Sequence, residues 1–215
     1  DPNAQGRKKH AGDAIFEDVN NDGQLDSKDM KFMGYIRPDK VGGIVNSFKY
    51  KGLTVRVVMD WAMGHVIDNG FKGQIMGSSR NNNNAIKDAM TNSWQSANDG
   101  TKYPKYTVQS DYDYQYRNHM RWDNQIGSSE SGSTNNSLYF SKGDYLAFRE
   151  VSLSYMLPST WVRKIRLSGV EVFAGAYNIG YIKKYDGMFP EIYTGVDYGV
   201  YPRPRQYNMG VKINF

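Results

Sequence analysis

The chain has 215 residues, 39% of them apolar and 14% aromatic, with 17 Tyr, 22 Gly, no Cys and a formal charge of +5. The absence of cysteine excludes a disulfide scaffold and a thiolate metal centre, and no apolar run reaches the roughly 18 residues of a membrane-crossing helix. Basic residues are scattered; the one tight run, Arg7-Lys8-Lys9, reads as a solvated segment, so no nucleic-acid partner is expected.

Residues 1–40 are polar and loop-like, with no secretory leader at their start, which for an exported protein implies a processed or partial chain. They contain Asp18-Val19-Asn20-Asn21-Asp22-Gly23-Gln24-Leu25-Asp26-Ser27-Lys28-Asp29, a match to the calcium-loop pattern. In that reading Asp18, Asn20 and Asp22 supply side-chain oxygens, and Gly23 permits the sharp turn. Gln24 offers its backbone carbonyl, Asp26 binds directly or through water, and Asp29 closes the loop. A structural Ca2+ is the expected occupant. The last position is Asp rather than Glu and no helix precedes the loop, so this is not a standard EF-hand. The competing reading is an Asx-rich turn whose side chains bond their own backbone.

Strand signals follow. A weaker one covers about 41–50, around Ile44, Phe48 and Tyr50, and a tight turn at Lys51-Gly52 leads into the clearest. There Leu53, Val55, Val57, Met59, Trp61 and Met63 share one face, against Thr54, Arg56, Val58, Asp60 and Ala62 on the other. Residues 64–143 form a long polar connection, with Asn81-Asn82-Asn83-Asn84, a short helix expected within 84–97, and a Gly/Ser/Asn stretch to Ser137. Its aromatics, among them Trp94, Tyr112, Tyr114 and Trp122, suit sugar or peptide binding; the alternative is that they pack the loop.

The third strand spans about 144–156. Val151, Leu153 and Tyr155 oppose Ser152 and Ser154, whereas Leu146 and Phe148 fit the opposite phase, so a bulge is expected near Arg149-Glu150. A turn through Leu157-Pro158-Ser159 leads to a strand over about 168–178, with Val170, Val172, Ala174 and Ala176 on one face. After a second long connection, 179–203, Tyr207, Met209, Val211, Ile213 and Phe215 alternate with Asn208, Gly210, Lys212 and Asn214. Gly210, Ile213 and the terminal Phe215 resemble the β-signal read by outer-membrane assembly machinery; the bland alternative is an ordinary amphipathic strand. Asp60 and Glu150 read as isolated carboxylates lining a wet interior. His10, His65 and His119 have no spacing of a metal site or triad.

Short and long connections alternate, as in transmembrane barrels with short periplasmic turns and long extracellular loops. If Phe215 ends in the periplasm, every short link falls inside and every long one outside, 1–40 included. Five strands cannot close a barrel, and open edges are not tolerated in lipid, so the sheet must be completed by further chain. The fold class is therefore all-β: antiparallel strands over 41–215 forming part of a large transmembrane β-barrel.

Several stretches together resemble SusC/RagA-like TonB-dependent receptors. Gly12-Asp13-Ala14-Ile15-Phe16-Glu17-Asp18-Val19-Asn20-Asn21-Asp22-Gly23 is similar to a late-barrel motif of that family, and Phe48-Lys49-Tyr50-Lys51-Gly52-Leu53 to its strand–turn–strand. Residues 145–158, ending Ser154-Tyr155-Met156-Leu157-Pro158, resemble another, with Ala147 and Phe148 where Arg and Leu are expected. Ala176-Tyr177-Asn178-Ile179 resembles its Asn-Leu turn, and Tyr185-Asp186-Gly187, Pro190-Glu191 and Tyr201-Pro202 its last extracellular loop. The matches are collinear from about residue 12 onward, leaving only 65–135 uncovered.

The resemblance implies the C-terminal part of a roughly 22-stranded, plugged outer-membrane transporter. Such receptors import oligosaccharides or peptides in Bacteroidota, with energy from the proton-motive force delivered through TonB to an upstream plug and a SusD-like lipoprotein as extracellular cap. No catalysis is expected. The competing functions are a soluble calcium-stabilised carbohydrate-binding β module and a glycan-active enzyme domain.

Overall fold

A computed structural model describes residues 11–23, 27–72, 86–101, 103–106 and 137–215. The described strands are β1 (Lys40–Tyr50), β2 (Leu53–Met63), β3 (Val66–Asp68), β4 (Phe140–Lys142), β5 (Tyr145–Met156), β6 (Gly169–Lys183) and β7 (Gln206–Asn214). Five of them make one antiparallel sheet in the order β1-β2-β5-β6-β7, while β3 and β4 pair separately. The sheet is an up-and-down meander, and β1 and β7 are its open edges. Contacts divide the chain into two compact units.

The sheet unit comprises Tyr35–His65, Lys142–Glu191 and Val200–Phe215. Its first hairpin is a two-residue turn with both central residues at positive φ, Lys51 at 44° and Gly52 at 86°, the geometry that matches the right-handed twist of paired strands. Tyr50 faces Leu53 across it. Glycine is required here twice over, because a Cβ on residue 52 would lie 2.7 Å from the Met156 carbonyl oxygen.

Register places the alternating apolar sets on one face. Phe48, Val55, Leu153, Ala174 and Met209 form one cross-strand row, and Tyr50, Leu53, Tyr155, Val172 and Val211 the next. The opposite face carries Lys49, Thr54, Ser154, Phe173 and Gly210 in one row and Ser47, Arg56, Ser152, Gly175 and Asn208 in another. This two-face pattern is the period-2 alternation of the sequence made physical.

The phase switch in β5 is a bulge, as its sequence suggests. Pairing with β2 slips between Val58 and Met59, which face Glu150 and Phe148. Pairing with β6 slips across Phe148 and Glu150, opposite Gly180 and Tyr177. On β6 the irregularity falls at Asn178, with φ of 51°, a left-handed conformation that Asn tolerates. This corrects the turn expected at Asn178-Ile179: the strand bends there and continues to Lys183. The following connection accordingly begins only at residue 184. The link after β5 is also longer than a turn, because Ser159–Val162 is helical and Arg163–Ile165 forms a 3-10 turn.

The other unit is drawn from Asp1–Gly34, Val66–Ser141 and Ile192–Gly199. The helix expected within 84–97 is a single short one, Lys87–Thr91. Ala89, Tyr103 and Tyr139 are buried together, with Ile86 and Leu138 against them. Tyr103 donates its hydroxyl to Asp88 at 2.6 Å. The next loop is wound around Asp99, whose carboxylate accepts the backbone N–H groups of Gln95 at 2.6 Å, Ser96 at 3.0 Å and Thr101 at 3.3 Å. These bonds favour the ionised form and hold its pKa at about 2. Residues 192–199 are held by Asp68 N–H to Gly195 O at 2.9 Å, Asp197 N–H to Asp68 O at 2.8 Å and Phe71 N–H to Asp197 O at 2.8 Å.

Candidate functional site

The apolar face of the sheet is uncovered. Leu153, Val172, Met209 and Val211 are between 46% and 87% exposed, and Ile44, Phe48, Tyr50 and Ile213 are exposed beside them. A soluble sheet buries such a face against a second layer; a membrane stave turns it to acyl chains. No helix among the described residues is long and apolar enough to cross a membrane, which says nothing of strands.

The polar face is different at its two ends. Toward the Lys51-Gly52 turn, Ser47, Thr54, Arg56, Ser152, Ser154, Tyr177 and Asn208 line an open depression. Toward the other end, Ala62, Tyr145 and Ala147 are buried with Tyr181 packed against them. The Tyr181 ring meets Tyr145 and Phe189 edge-on, with centroids 5.9 and 5.8 Å apart. Residues 185–191 therefore fold inward onto this end of the polar face, burying Tyr185 and Phe189.

The bulge aims Arg149 and Glu150, neighbours in sequence, to the same polar side. Arg149 grips Asp60 bidentately, through Nε to Oδ1 and through Nη2 to Oδ2 at 2.7 Å. Its Nη1 donates to Glu191 Oε1 at 2.5 Å, and the Tyr181 hydroxyl donates to the same oxygen at 2.6 Å. Arg203 reaches Glu191 Oε2 at 3.3 Å. Glu150 pairs with Arg56 at 3.5 Å and accepts the Ser152 hydroxyl at 2.8 Å. The expectation that Asp60 and Glu150 are isolated is thus corrected. Arg149, Tyr181, Glu191 and Arg203 were not singled out as site residues; the signal available was a charged pair inside a phase switch.

Beyond the strands, Asp144 ties three ends together. Its Oδ1 accepts Gly64 N–H at 2.8 Å and its Oδ2 accepts Lys184 Nζ at 2.9 Å. The Lys184 hydrogen bond, opposed by desolvation, leaves its pKa below the usual carboxylate value. Buried His65 lies nearby, its Nδ1 without a hydrogen-bond partner. Burial lowers its pKa, with the Asp144 charge pulling the other way.

Of the calcium-loop residues, Gln24 and Asp26 lie outside the described ones. Asp18 Oδ2 accepts Gly23 N–H at 2.9 Å, and Asp29 Oδ1 accepts Val19 N–H at 2.8 Å. Asn20 Oδ1 accepts Asp22 N–H at 3.1 Å, an Asx-turn bond. Lys28 lies 3.6 Å from Asp22. Asn21 and Gly23 both have positive φ, 57° and 81°. Asp18 Oδ1 is buried with no hydrogen-bond partner, which is where a cation fits this donor set. Among the described residues no cluster of three or more His, Cys, Asp or Glu is assembled; the expected set also counts Asn20 and the backbone carbonyl of Gln24, and Gln24 lies outside the described residues.

Tyr112, Tyr114 and Trp122 also lie outside the described residues. Trp94 is half-buried, and its ring occupies the space a side chain at Gly12 would need. Gly210 faces Phe173 across the strands, where a Cβ would come 2.7 Å from the ring. Ile213 shares the apolar face with Val170, and Phe215 is 93% exposed.

No family model matches the chain. It is 25% identical over 216 residues to the TonB-dependent receptor P3 of Formosa agariphila, covering 95% of this chain and 19% of that protein. It is 24% identical over 213 residues to the TonB-dependent receptor P39 of the same organism, again 95% and 19%. Against the TonB-dependent receptor SusC of Bacteroides thetaiotaomicron the identity is 26% over 91 residues, 42% of this chain and 9% of that one. Among solved structures, a chain of the RagAB peptide transporter superposes with a TM-score of 0.61 at 22% identity, over 84% of this chain and 17% of that one. The RagAB peptide importer in its closed-closed state gives 0.62 at 21%, over 86% and 18%. These likenesses show the fold, a section of a receptor barrel, and the named relatives are receptors and transporters, not enzymes. The chain spans about a fifth of the length of the curated relatives P3 and P39.

Proposed function

We propose that the chain, a barrel segment of a SusC/RagA-like TonB-dependent receptor, forms wall and extracellular loops of an outer-membrane importer of oligosaccharides or peptides. One observation carries the reading: a single-layer sheet, open at both edges, with an exposed apolar face and a hydrogen-bonded, charged opposite face. The remaining staves and a plug come from the rest of the parent chain or a separate polypeptide, in a barrel of about 22 strands. TonB acts through the plug, and a SusD-like lipoprotein meets the loops. The peptide option draws support from the RagAB likeness.

Residues 18–29 hold Ca2+ in this reading. Support comes from the partnerless buried oxygen of Asp18 and from the inward bonds of Asp18 and Asp29. Asp18, Asn20, Asp22 and Asp29 would supply oxygens, with Gln24 and Asp26 completing the set. The ion would stiffen the loop, and the Asx-turn bond of Asn20 holds the same backbone curve.

The test places a nitroxide at Leu153 or Ser154 of the full-length receptor in lipid and compares collision with oxygen and with a water-soluble nickel complex. Oxygen should dominate at 153. Nickel should equal or exceed it at 154. Nickel access at 153 above oxygen access would overturn the assignment.

A further inference from the structure

Two strands, β5 and β6, and the connection before β7 converge on one buried carboxylate. Glu191 has a side chain only 1% exposed, and both its oxygens are engaged, Oε1 by Arg149 and Tyr181, Oε2 by Arg203. Arg149 cannot swing away with it, because its other edge is clamped by Asp60 on β2. Breaking either end would strand a charge in a poorly solvated place. Lys183 Nζ adds a bond to the Gly187 carbonyl, and Phe189 seats its ring against Tyr181. Pro190 is fully buried between these anchors, whereas Met188 is 62% exposed.

From this geometry we propose that Arg149 and Glu191 are a fixed latch, which pins residues 185–191 inward over the polar face and presents Met188 to whatever passes there. The segment is thereby a permanent part of the wall rather than a lid. The bulge in β5 is what makes the latch possible. Without the register slip only one of Arg149 and Glu150 could face the polar side, since successive strand residues alternate. With it, Glu150 takes Arg56 and Arg149 remains for the two acids. That the segment overlies a passage rests on the importer reading; the latch itself does not, and the spin-label accessibilities described above fail separately from it.

The test uses the full-length receptor in lipid with two reporters. A Pro190→Cys thiol is labelled with a water-soluble maleimide, and a nitroxide at Met188 reports backbone motion. In the parent the thiol should be protected and the nitroxide slow. Glu191→Gln should speed labelling at least tenfold and mobilise the nitroxide, and Arg203→Gln should do both to a smaller degree. Lys31→Gln, which removes a surface ion pair with Glu17, should change neither. Heat-modifiable electrophoresis reports folding; should Glu191→Gln not fold, Arg203→Gln and Glu191→Asp decide the matter. Unchanged labelling in folded variants would overturn the latch. Fast nitroxide motion in the parent would overturn its fixed character.

Discussion

The sharpest consequence of the two-faced sheet is an asymmetry between two residues of β5 on opposite faces, three positions apart. Val151 lies on the apolar face and Ser154 on the polar one. Val151 is five residues from Met156, the turn-side end of the strand. At about 3.3 Å per residue and a tilt near 40°, that is ~12 Å along the membrane normal, the middle of a ~25 Å apolar band. An arginine at a lipid-facing midplane position costs about 2–4 kcal/mol, and on the lumen side far less. Val151→Arg should therefore lower the folding equilibrium constant by roughly 30- to 700-fold at about 1.4 kcal/mol per tenfold. Ser154→Arg should cost under about 0.5 kcal/mol, as an ordinary solvated substitution does. The assay is the denaturant midpoint of the full-length receptor refolded into bilayers, with outer-membrane abundance as a cellular readout. Equal costs, or a larger cost at 154, would refute the face assignment, because no lipid-covered midplane position accepts a cation freely.

Three further outcomes follow from particular contacts. Gly52→Ala should lower stability by about 1–2 kcal/mol or more, since alanine disfavours positive φ and its Cβ would press on the Met156 carbonyl 2.7 Å away; Lys51→Gly should be neutral or stabilising in the same denaturation assay. Chelation should accelerate hydrogen exchange in residues 16–23 of the receptor, and Asp18→Ala should abolish the response; a chelator effect that persists in the variant would remove Asp18 from the ion's ligands. His65 has a folded pKa below its ordinary value, with burial as the leading cause. The unfolded chain therefore binds the extra proton more readily, and the stabilisation is complete above about pH 6.5 and is lost as pH falls through the folded value. The depressed Asp144 acts in the same direction at lower pH. The thermal midpoint should fall between pH 7.5 and 5.0, and by less in His65→Gln; an equal fall in both would exclude His65 as the source.

How much of this was legible in the chain depended on the range of the interaction. Alternation in β2 and β7 gave their faces correctly, because period 2 is a local property of extended backbone. The bulge was legible too, since Leu146 and Phe148 are out of step with Val151 and Leu153. The end of β6 was not. Asn178 has the chemistry of a turn residue, and only pairing with β5 makes it a bulge within a longer strand. Trp94 looked available for a ligand, yet its ring lies against Gly12, more than eighty positions away in sequence.

By itself the sequence determined the five long strands in outline, their two faces, the tight Lys51-Gly52 hairpin and the spacing of the acidic loop, all of which are written in neighbouring residues, but not the short strands β3 and β4 or the end of β6. Only the tertiary structure decided the partners of the charges. Asp60 and Arg149 are 89 positions apart, and Arg149 and Glu191 are 42 apart. Such pairs follow from strand order and register, which bring distant side chains within a hydrogen bond of each other, and no periodicity within a single strand encodes that distance.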